Sequence, residues 1–479
     1  MSSFFIRKGN TDKAASKSGA GGRKRKGKLG KQSTSNSKAK KPKRNFEDEE
    51  ISSDEFSDVH SENEVDEGED VEDVETAQER KLRLAKSYLE EIEKEEKERL
   101  ERQEIDNEVL ASRLKDDVLA KAGKLRRKIG DLLETVIESD INVLRNKRHK
   151  LSVTCVVVSN DCKHVYSASK DANIIKWDIA KREKVHIIES SHNNKLKKGK
   201  SHSADILSLA ISADNQFLAS GDVKSVIHIW RPETMEHLHT FNYHSGAITG
   251  LAICQETNSL YSASADRSVK VFNLDEMMYV ETLFGHQSSV TSIDVLCKDR
   301  TISTGGTDNS VRVWKIQEES QLIYNGSGRS IDVVKRLDDD HFVTGGEDGL
   351  VAVWGVLKKK PSHIISNSHE KDSSGEANWV TCVATLGTSD VFATGSSDGF
   401  IKVWKCEDRY RKSKLLFTVA VQGFINSMAF STDDKYLVVG VGQEHKLGRW
   451  KRIKEARNSV LLIELKKRKE PLVAVNGES

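Results

Sequence analysis

The sequence predicts an all-β protein, a seven-bladed β-propeller preceded by a disordered charged tail and a helical segment, and three observations carry that prediction. First, one spacing of residue types recurs. His149 to Trp177, His202 to Trp230, His244 to Phe272 and His286 to Trp314 are each 28 residues apart, although the sequence between them differs. Second, aromatics close apolar runs at 177, 230, 272, 314, 354, 404 and 450, at intervals of 40 to 53 residues. One four-stranded propeller blade occupies about 40–45 residues. Third, from about residue 141 the apolar period becomes two, as in Val311-Arg-Val313-Trp314 and Ile401-Lys-Val403-Trp404, the signature of strands with one buried face.

Within a repeat of this WD type the His opens the segment, an Asp sits in a turn signal and the Trp closes the run. The fifth to seventh repeats read without a leading His: Asp348 to Trp354, Asp398 to Trp404, and a last one on Trp450. His286, Ser303 and Asp308 supply the residue types of a Ser-His-Asp triad. The same trio recurs as His149, Ser167, Asp171 and as His244, Ser262, Asp266, which a single active site does not require. Buried polar groups left unpaired cost about 1–3 kcal/mol apiece, so these side chains read as a lock inside each blade. Its members are His149, Asp171, Trp177, His244, Asp266, His286, Ser303, Asp308, Trp314, Asp348, Trp354, Asp398 and Trp404. On this reading there are no catalytic residues, and the chain is not an enzyme. Two repeats depart from the pattern: Lys224 stands six before Trp230, with Asp222 two residues earlier, and Glu444 stands six before Trp450.

The segments ahead of the blades follow from composition. The net charge of +2 hides a basic stretch, residues 1 to 46, with 15 Lys/Arg against one acid, and an acidic stretch, residues 47 to 79, with 17 acids and no Lys or Arg. Residues 1–75 hold too few apolar groups to offset the entropy of ordering, so a disordered tail is expected. Arg23, Lys24, Arg25, Lys26 and Lys40, Lys41, Lys43, Arg44 form two clusters that read as a nuclear localisation signal or as a solvated basic tail with loose RNA affinity. Gly22 to Leu29 imitates a phosphate-binding loop but ends on Leu29 where a hydroxyl is needed, and no apolar strand precedes it, which excludes nucleotide binding there. Ser52, Ser53, Ser57 and Ser61, set among acids, are candidate phosphorylation sites. Residues 76–140 read as a helical segment opened by the capping box Thr76-Ala-Gln-Glu79, with Leu82, Ala85, Leu89 and Ile92 along one side. That segment docks on a partner or on the propeller, or stays a solvated charged helix.

The propeller is expected over 141–470, with a C-terminal tail at 471–479. Either Asn458 to Leu465 or Ile141 to Arg145 can supply its last outer strand. Six isolated Cys without a CxxC pair indicate neither a disulfide framework nor a metal site, and a reducing, intracellular setting fits. No run of 18 apolar residues exists, so neither membrane nor cofactor is expected.

Chemistry is expected in the loops. Extra length falls at Ser190 to Ser201, which holds Lys195, Lys197 and Lys198, and at Lys358 to Asn378. The richest stretch is the turn of the irregular seventh repeat, with Gln443, His445, Lys446, Arg449, Arg452, Lys454 and Arg457 among glycines. Cations neutralise phosphates, and amide and imidazole groups can bond base edges or 2′-hydroxyls, so this is an RNA-binding composition; the plainer reading is a basic solvated loop. Joined with the lysines at 195–198, it would form one composite basic face.

The blades, Thr76-Ala-Gln-Glu-Arg-Lys-Leu-Arg-Leu-Ala-Lys86, Tyr279 to His286, Gly440-Val-Gly-Gln-Glu-His445 and Gly448-Arg-Trp-Lys-Arg-Ile-Lys-Glu-Ala-Arg-Asn-Ser459 together resemble the U3-55K family, the WD-repeat proteins of the U3 small nucleolar ribonucleoprotein. The resemblance runs from about residue 76 to 465. It implies a non-catalytic nucleolar scaffold that joins U3 snoRNA at its box B/C element beside a kink-turn-binding protein and other processome proteins. The family acts in pre-rRNA processing and small-subunit biogenesis. A ubiquitin-ligase substrate receptor is an alternative, but its Trp-Asp-x-Arg signature is not met at Trp177-Asp178-Ile179-Ala180. Chromatin binding through the central mouth is a further one.

Overall fold

The computed structural model describes residues 77–99, 114, 118, 127–137, 140–191, 200–371 and 375–468. The two basic clusters between Arg23 and Arg44, the serines 52, 53, 57 and 61, and Lys195, Lys197 and Lys198 lie outside the described residues.

Seven four-stranded antiparallel sheets form the body. Their inner strands, Val153–Val158, Ile206–Ile211, Ile248–Ile253, Ser292–Cys297, Val333–Arg336, Val380–Thr385 and Phe424–Phe430, each neighbour the next, and the last returns to the first. This is a closed seven-bladed propeller, the predicted fold. Strands within a blade are named a to d from the axis outward, so a–b and c–d turns share one face while b–c turns and d–a links share the other.

Closure uses both candidate segments. In blade 7, strand c is Ser459–Glu464 and strand d is Ile141–Leu144, from the opposite end of the propeller sequence, with Ile141 opposite Ile463 and Leu144 opposite Val460. Trp450 therefore closes no blade. Matching Gly440↔Val460 to Gly395↔Ile401 of blade 6 puts Ile463 where Trp404 stands and Arg457 where Asp398 stands. The six-residue offset from Glu444 to Trp450 is a coincidence of loop sequence.

The expected lock is a directional relay. In blade 4, Trp314 Nε1–H donates to Ser303 Oγ at 2.8 Å, Ser303 pairs with His286 Nε2 at 2.8 Å, and His286 Nδ1 pairs with Asp308 at 2.8 Å. Each group donates once down the chain, so every buried polar atom of the relay is satisfied. Asp308 also accepts from the Ser310 backbone and hydroxyl. Burial would raise its pKa, but the bonds from His286 and Ser310 outweigh it and hold the carboxyl below its ordinary range.

Blade 3 keeps His244 with Asp266 (2.8 Å) and Ser262 (2.7 Å), and Phe272 fills the Trp position without a donor. In blade 1, His149 reaches Asp171 through Ser169, while Trp177 donates to Ser167. Blade 2 carries the same relay with Asp222, 3.0 Å from His202, in the acid role, so Lys224 breaks nothing. Blade 6 has a leading histidine after all: His369 binds Asp398 at 2.7 Å and Thr394 at 3.0 Å, and Trp404 donates to Thr394. The d–a link after His369 is longer, so His369 precedes Trp404 by 35 residues rather than 28, which hid it. Blade 5 has no such His; Asp348 caps the Arg329 amide at 3.0 Å, and Trp354 donates to Thr344 at 2.9 Å.

The inner strands of blades 1, 3 and 6 carry a bulge at Thr154, Thr249 and Thr381. Each hydroxyl donates to a carbonyl of the next blade, of Ile206, Val290 and Ile425 respectively, at 2.5 Å. Bulges free a backbone group and re-aim a side chain, and here the side chain clips blade to blade.

Outside the sheets, Ala77–Arg99 is a helix with Glu79 in its first turn. Leu82 and Leu89 on the expected apolar side are exposed, and Ile92 is buried. The helical expectation for 76–140 does not extend to residues 127–137, which bridge as Arg127↔Ser389 and Leu133↔Lys467 and bury Ile129 and Leu133 against blades 6 and 7. Arg127 donates to Asp434 at 2.7 Å, and Asp390 accepts the Ile129 and Gly130 amides. The inserted stretch 358–378 also divides: Lys358 to Lys360 lie in the c–d turn of blade 5, strand d is His363–Ile365, and the d–a link follows on the opposite face.

Candidate nucleic-acid interface

Blade 7 differs from the others in its b–c turn. Blade 4 spans that gap with residues 305–309, whereas blade 7 uses residues 443–458. This loop carries Lys446, Arg449, Lys451, Arg452, Lys454 and Arg457 against Glu444 and Glu455.

Three polar side chains hold its backbone. Asn426 sits in the blade 7 bulge where other blades carry Thr. Its Nδ2 donates to Val153 O at 2.9 Å, the blade-to-blade clip, and to Glu444 O at 3.1 Å, while its Oδ1 accepts from Lys446 N at 3.0 Å. Asn458 accepts from Gln443 N at 2.9 Å and donates to Lys150 O at 2.7 Å. Ser152 Oγ accepts from Glu444 N at 3.1 Å. A mini-hairpin follows, with Glu444 bridging Arg452 and Ile453 N donating to Gln443 O at 2.8 Å.

The carboxylate of Glu444, itself buried, meets the buried Lys170 ammonium at 3.2 Å and Arg449 Nε at 3.1 Å. It ties the loop to the b–c turn of blade 1. Removing one partner of such a pair strands a buried charge, at a cost of about 3–5 kcal/mol.

The seven loop residues singled out by composition fall into two groups. Three face inward, contrary to the expectation that their polar atoms meet RNA. Gln443 donates from Nε2 to Ala456 O and accepts Arg452 on Oε1, so its amide braces the loop. His445 is buried, and its Nδ1 accepts from Leu447 N at 3.2 Å. Burial, then the charges of Lys446 and Lys170, push its pKa down to about 3, so it is a neutral imidazole. The Lys446 amine is enclosed near Cys155, Cys382, Asp332 and Lys335, on or next to the inner strands of blades 1, 6 and 5, and burial lowers its pKa. Those two thiols are pushed up to about 12 by burial and stay neutral. Arg449, Arg452, Lys454 and Arg457 are exposed.

Residue type alone did not single out Asn426, Asn458, Ser152, Lys170 or Trp379, and it marked Trp450 as a blade end and not as part of this surface. The signal for Asn426 was available in the sequence as an Asn at the Thr154/Thr249/Thr381 position. Ser191 N bonds His202 O at 2.9 Å at the base of the basic insertion. That insertion is a d–a link, so its base lies on the same face as the loop. Among the described residues no group of His, Cys, Asp and Glu is arranged to hold a metal. No described helix is long and apolar enough to cross a membrane.

The fold and its relays define a WD-repeat β-propeller. Consistently, the model of the family "WD domain, G-beta repeat" matches residues 141–178, 193–231, 235–273, 278–315 and 368–405. Comparison with curated proteins goes further. The chain is 47% identical to U3 small nucleolar RNA-interacting protein 2 of Homo sapiens over 365 residues, 76% of each chain. Identity to the Mus musculus protein of the same name is 47% over 375 residues, 78% of each. The solved structure "Crystal structure of RRP9 WD40 repeats" is 44% identical, with a TM-score of 0.67, covering 70% of this chain and all of that one. The chain belongs to the U3-55K family, that of U3 small nucleolar RNA-interacting protein 2.

Proposed function

We propose that this protein is a non-catalytic scaffold of the U3 small nucleolar ribonucleoprotein, resident in the nucleolus, that binds U3 snoRNA at its box B/C region. In this reading it sits beside a kink-turn-binding protein and other processome proteins, and acts in pre-rRNA processing and small-subunit biogenesis. The observation that carries the reading is the 443–458 loop, which takes no part in closing blade 7 and is instead clamped by Asn426, Asn458 and Ser152 so that Arg449, Arg452, Lys454 and Arg457 face outward. A preorganised basic loop offers phosphate contacts without ordering cost on binding. Gln443, His445 and Lys446 shape this surface from beneath, and the sequence adds Lys195, Lys197 and Lys198 as further RNA-binding residues. The names of the relatives support U3 snoRNA as the ligand. The basic clusters at 23–26 and 40–44 serve nuclear entry, and the acidic-tract serines are phosphorylation sites.

The test replaces Arg449, Arg452, Lys454 and Arg457 with Ala. Recovery of U3 snoRNA with the immunoprecipitated protein should fall, while the variant still unfolds in one cooperative urea transition, because Glu444 keeps Lys170 when Arg449 is lost. The dependence of log K on log salt should flatten by about 0.7–0.9 for each phosphate that is no longer neutralised. Unchanged recovery would remove this loop as the RNA site.

A further inference from the structure

Trp450 is the one tryptophan of the seven that is mostly exposed, at 62% of its surface. Five of the others close blades and the sixth, Trp379, is half-buried. An exposed indole offers an aromatic face to a partner, and this one is packed against its own loop. Its underside lies directly on Gly448, where any Cβ would collide with the indole. Its ring lies 5.2 Å from His445, tilted by 38°, and 6.0 Å from Trp379 in a near-parallel stack, and the Trp379 ring lies 4.3 Å from that of His445, a compact three-ring cluster. His445 is neutral and buried there, so its ring acts as an aromatic support.

Beside the cluster opens a cleft of about 510 Å³, within the roughly 300–1,000 Å³ of small-ligand pockets. It is lined by Trp379, Phe424, Trp450 and Lys451 together with Arg329, Asn367, Asn378 and Glu347. Glu347, Asp348 and Glu376 balance Arg329, Lys371 and Lys451 around it, so the cleft carries no excess of positive charge for a phosphate, and the sugar-phosphate backbone is left to Arg449 and Lys451 on either side of Trp450 in the chain.

We infer that Trp450 is a stacking platform for a single unpaired, unstacked nucleobase of the bound RNA, which enters the cleft while its flanking phosphates lie along Arg449 and Lys451. This rests on the reading of the 443–458 loop as an RNA-binding element and adds what that element recognises: an extruded base as well as a charged backbone. Proteins read RNA chiefly at such splayed bases, stacking them on aromatic rings. The rigid support of Gly448, His445 and Trp379 means that little side-chain freedom is lost on stacking.

The test uses the full chain and U3 snoRNA transcribed in vitro. Base–aromatic stacking predicts that Trp450→Leu, which keeps an apolar cover over Gly448, weakens binding about 5- to 150-fold. Trp450→Phe, which keeps a π-face, should retain most of the affinity. Acrylamide quenching gives a readout that a purely structural role would not move, because the other six indoles are buried or half-buried: RNA should protect Trp450 emission. Should the Arg449/Arg452 variants lose binding while Trp450→Leu binds like wild type and acrylamide still reaches Trp450 in the complex, the stacking inference falls and the basic-loop reading stands. Should neither set of variants change RNA affinity, the loop reading falls and takes the inference with it. A tryptophan that serves a protein partner instead stays open to acrylamide in the RNA complex, which also overturns the inference.

Discussion

Asn426→Thr separates the two jobs that one buried amide performs. The wild-type side chain has no solvent exposure and makes three hydrogen bonds: to Val153 O at 2.9 Å, to Glu444 O at 3.1 Å, and from Lys446 N at 3.0 Å. Threonine restores the blade-to-blade clip found at Thr154, Thr249 and Thr381, because its hydroxyl can donate to Val153 O. It cannot reach the loop. Glu444 C=O and Lys446 N–H are then left without partners, at about 1–3 kcal/mol each if they stay buried. That puts the loss at about 2–6 kcal/mol with the loop in place, and less if the loop lifts and both groups find water. Urea unfolding of wild type, Asn426→Thr and Asn426→Ala, paired with hydrogen exchange, distinguishes these outcomes. The Thr variant should fall between wild type and Ala in stability, and the Lys446 amide should lose protection while strand b of blade 7 keeps it. A Lys446 amide that exchanges as slowly in the Thr variant as in wild type would refute the claim that Asn426 holds the loop. Equal midpoints for Thr and Ala would refute the clip.

Two further outcomes follow from burial and closure. Burial pushes His149 down to about 4, and burial with nearby Lys446 and Lys170 pushes His445 down to about 3, from the ordinary 6.5. The unfolded chain binds those protons first as pH falls, so their contribution is intact above about pH 6.5 and is lost on the way down, on the order of 3 kcal/mol for His149 by pH 4. Asp266 is half-buried, and bonds from Ser268 and His244 outweigh desolvation and hold it at about 2, so its share is lost between about pH 4 and 2. The urea midpoint should decline steadily below pH 6.5, and a flat profile from pH 7 to 4.5 would contradict neutral burial of these histidines. Separately, deleting residues 141–144 removes strand d of blade 7 and exposes the edge of Ser459–Glu464. Protease cleavage should then begin in blade 7, whereas a deletion variant as resistant as wild type would show that the ring closes without that strand.

The parts legible in the sequence were those whose spacing is local. Ser303 and Trp314 lie on adjacent strands of one hairpin and Asp308 in its turn, so the distance between them along the chain is set by strand and turn length, and the repeat announces it. His369 escaped because the link between it and its blade is longer. Trp450 misled because a Trp six residues after an acid mimics a blade end. Which loop side chains turn outward was not legible either, since Gln443, His445 and Lys446 have the composition of RNA ligands, yet the Gln443 amide is taken by Ala456 and Arg452, the His445 ring packs on Trp379, and the Lys446 amine is enclosed near Cys155 and Cys382.

The sequence by itself determined seven blades, the relay chemistry that locks most of them, and the stretch where the pattern fails, because each follows from period and from the need to pair buried polar groups. Only the tertiary structure decided that blade 7 joins residues from both ends of the propeller, that Asn426 and Lys170 hold the basic loop, and that Trp450 stands open beside a cleft. The closing strand pair, the Lys170–Glu444 bond and the Asn426–Val153 clip each join residues some 270 or more positions apart, and ring closure brings such residues together without leaving any periodic mark along the chain.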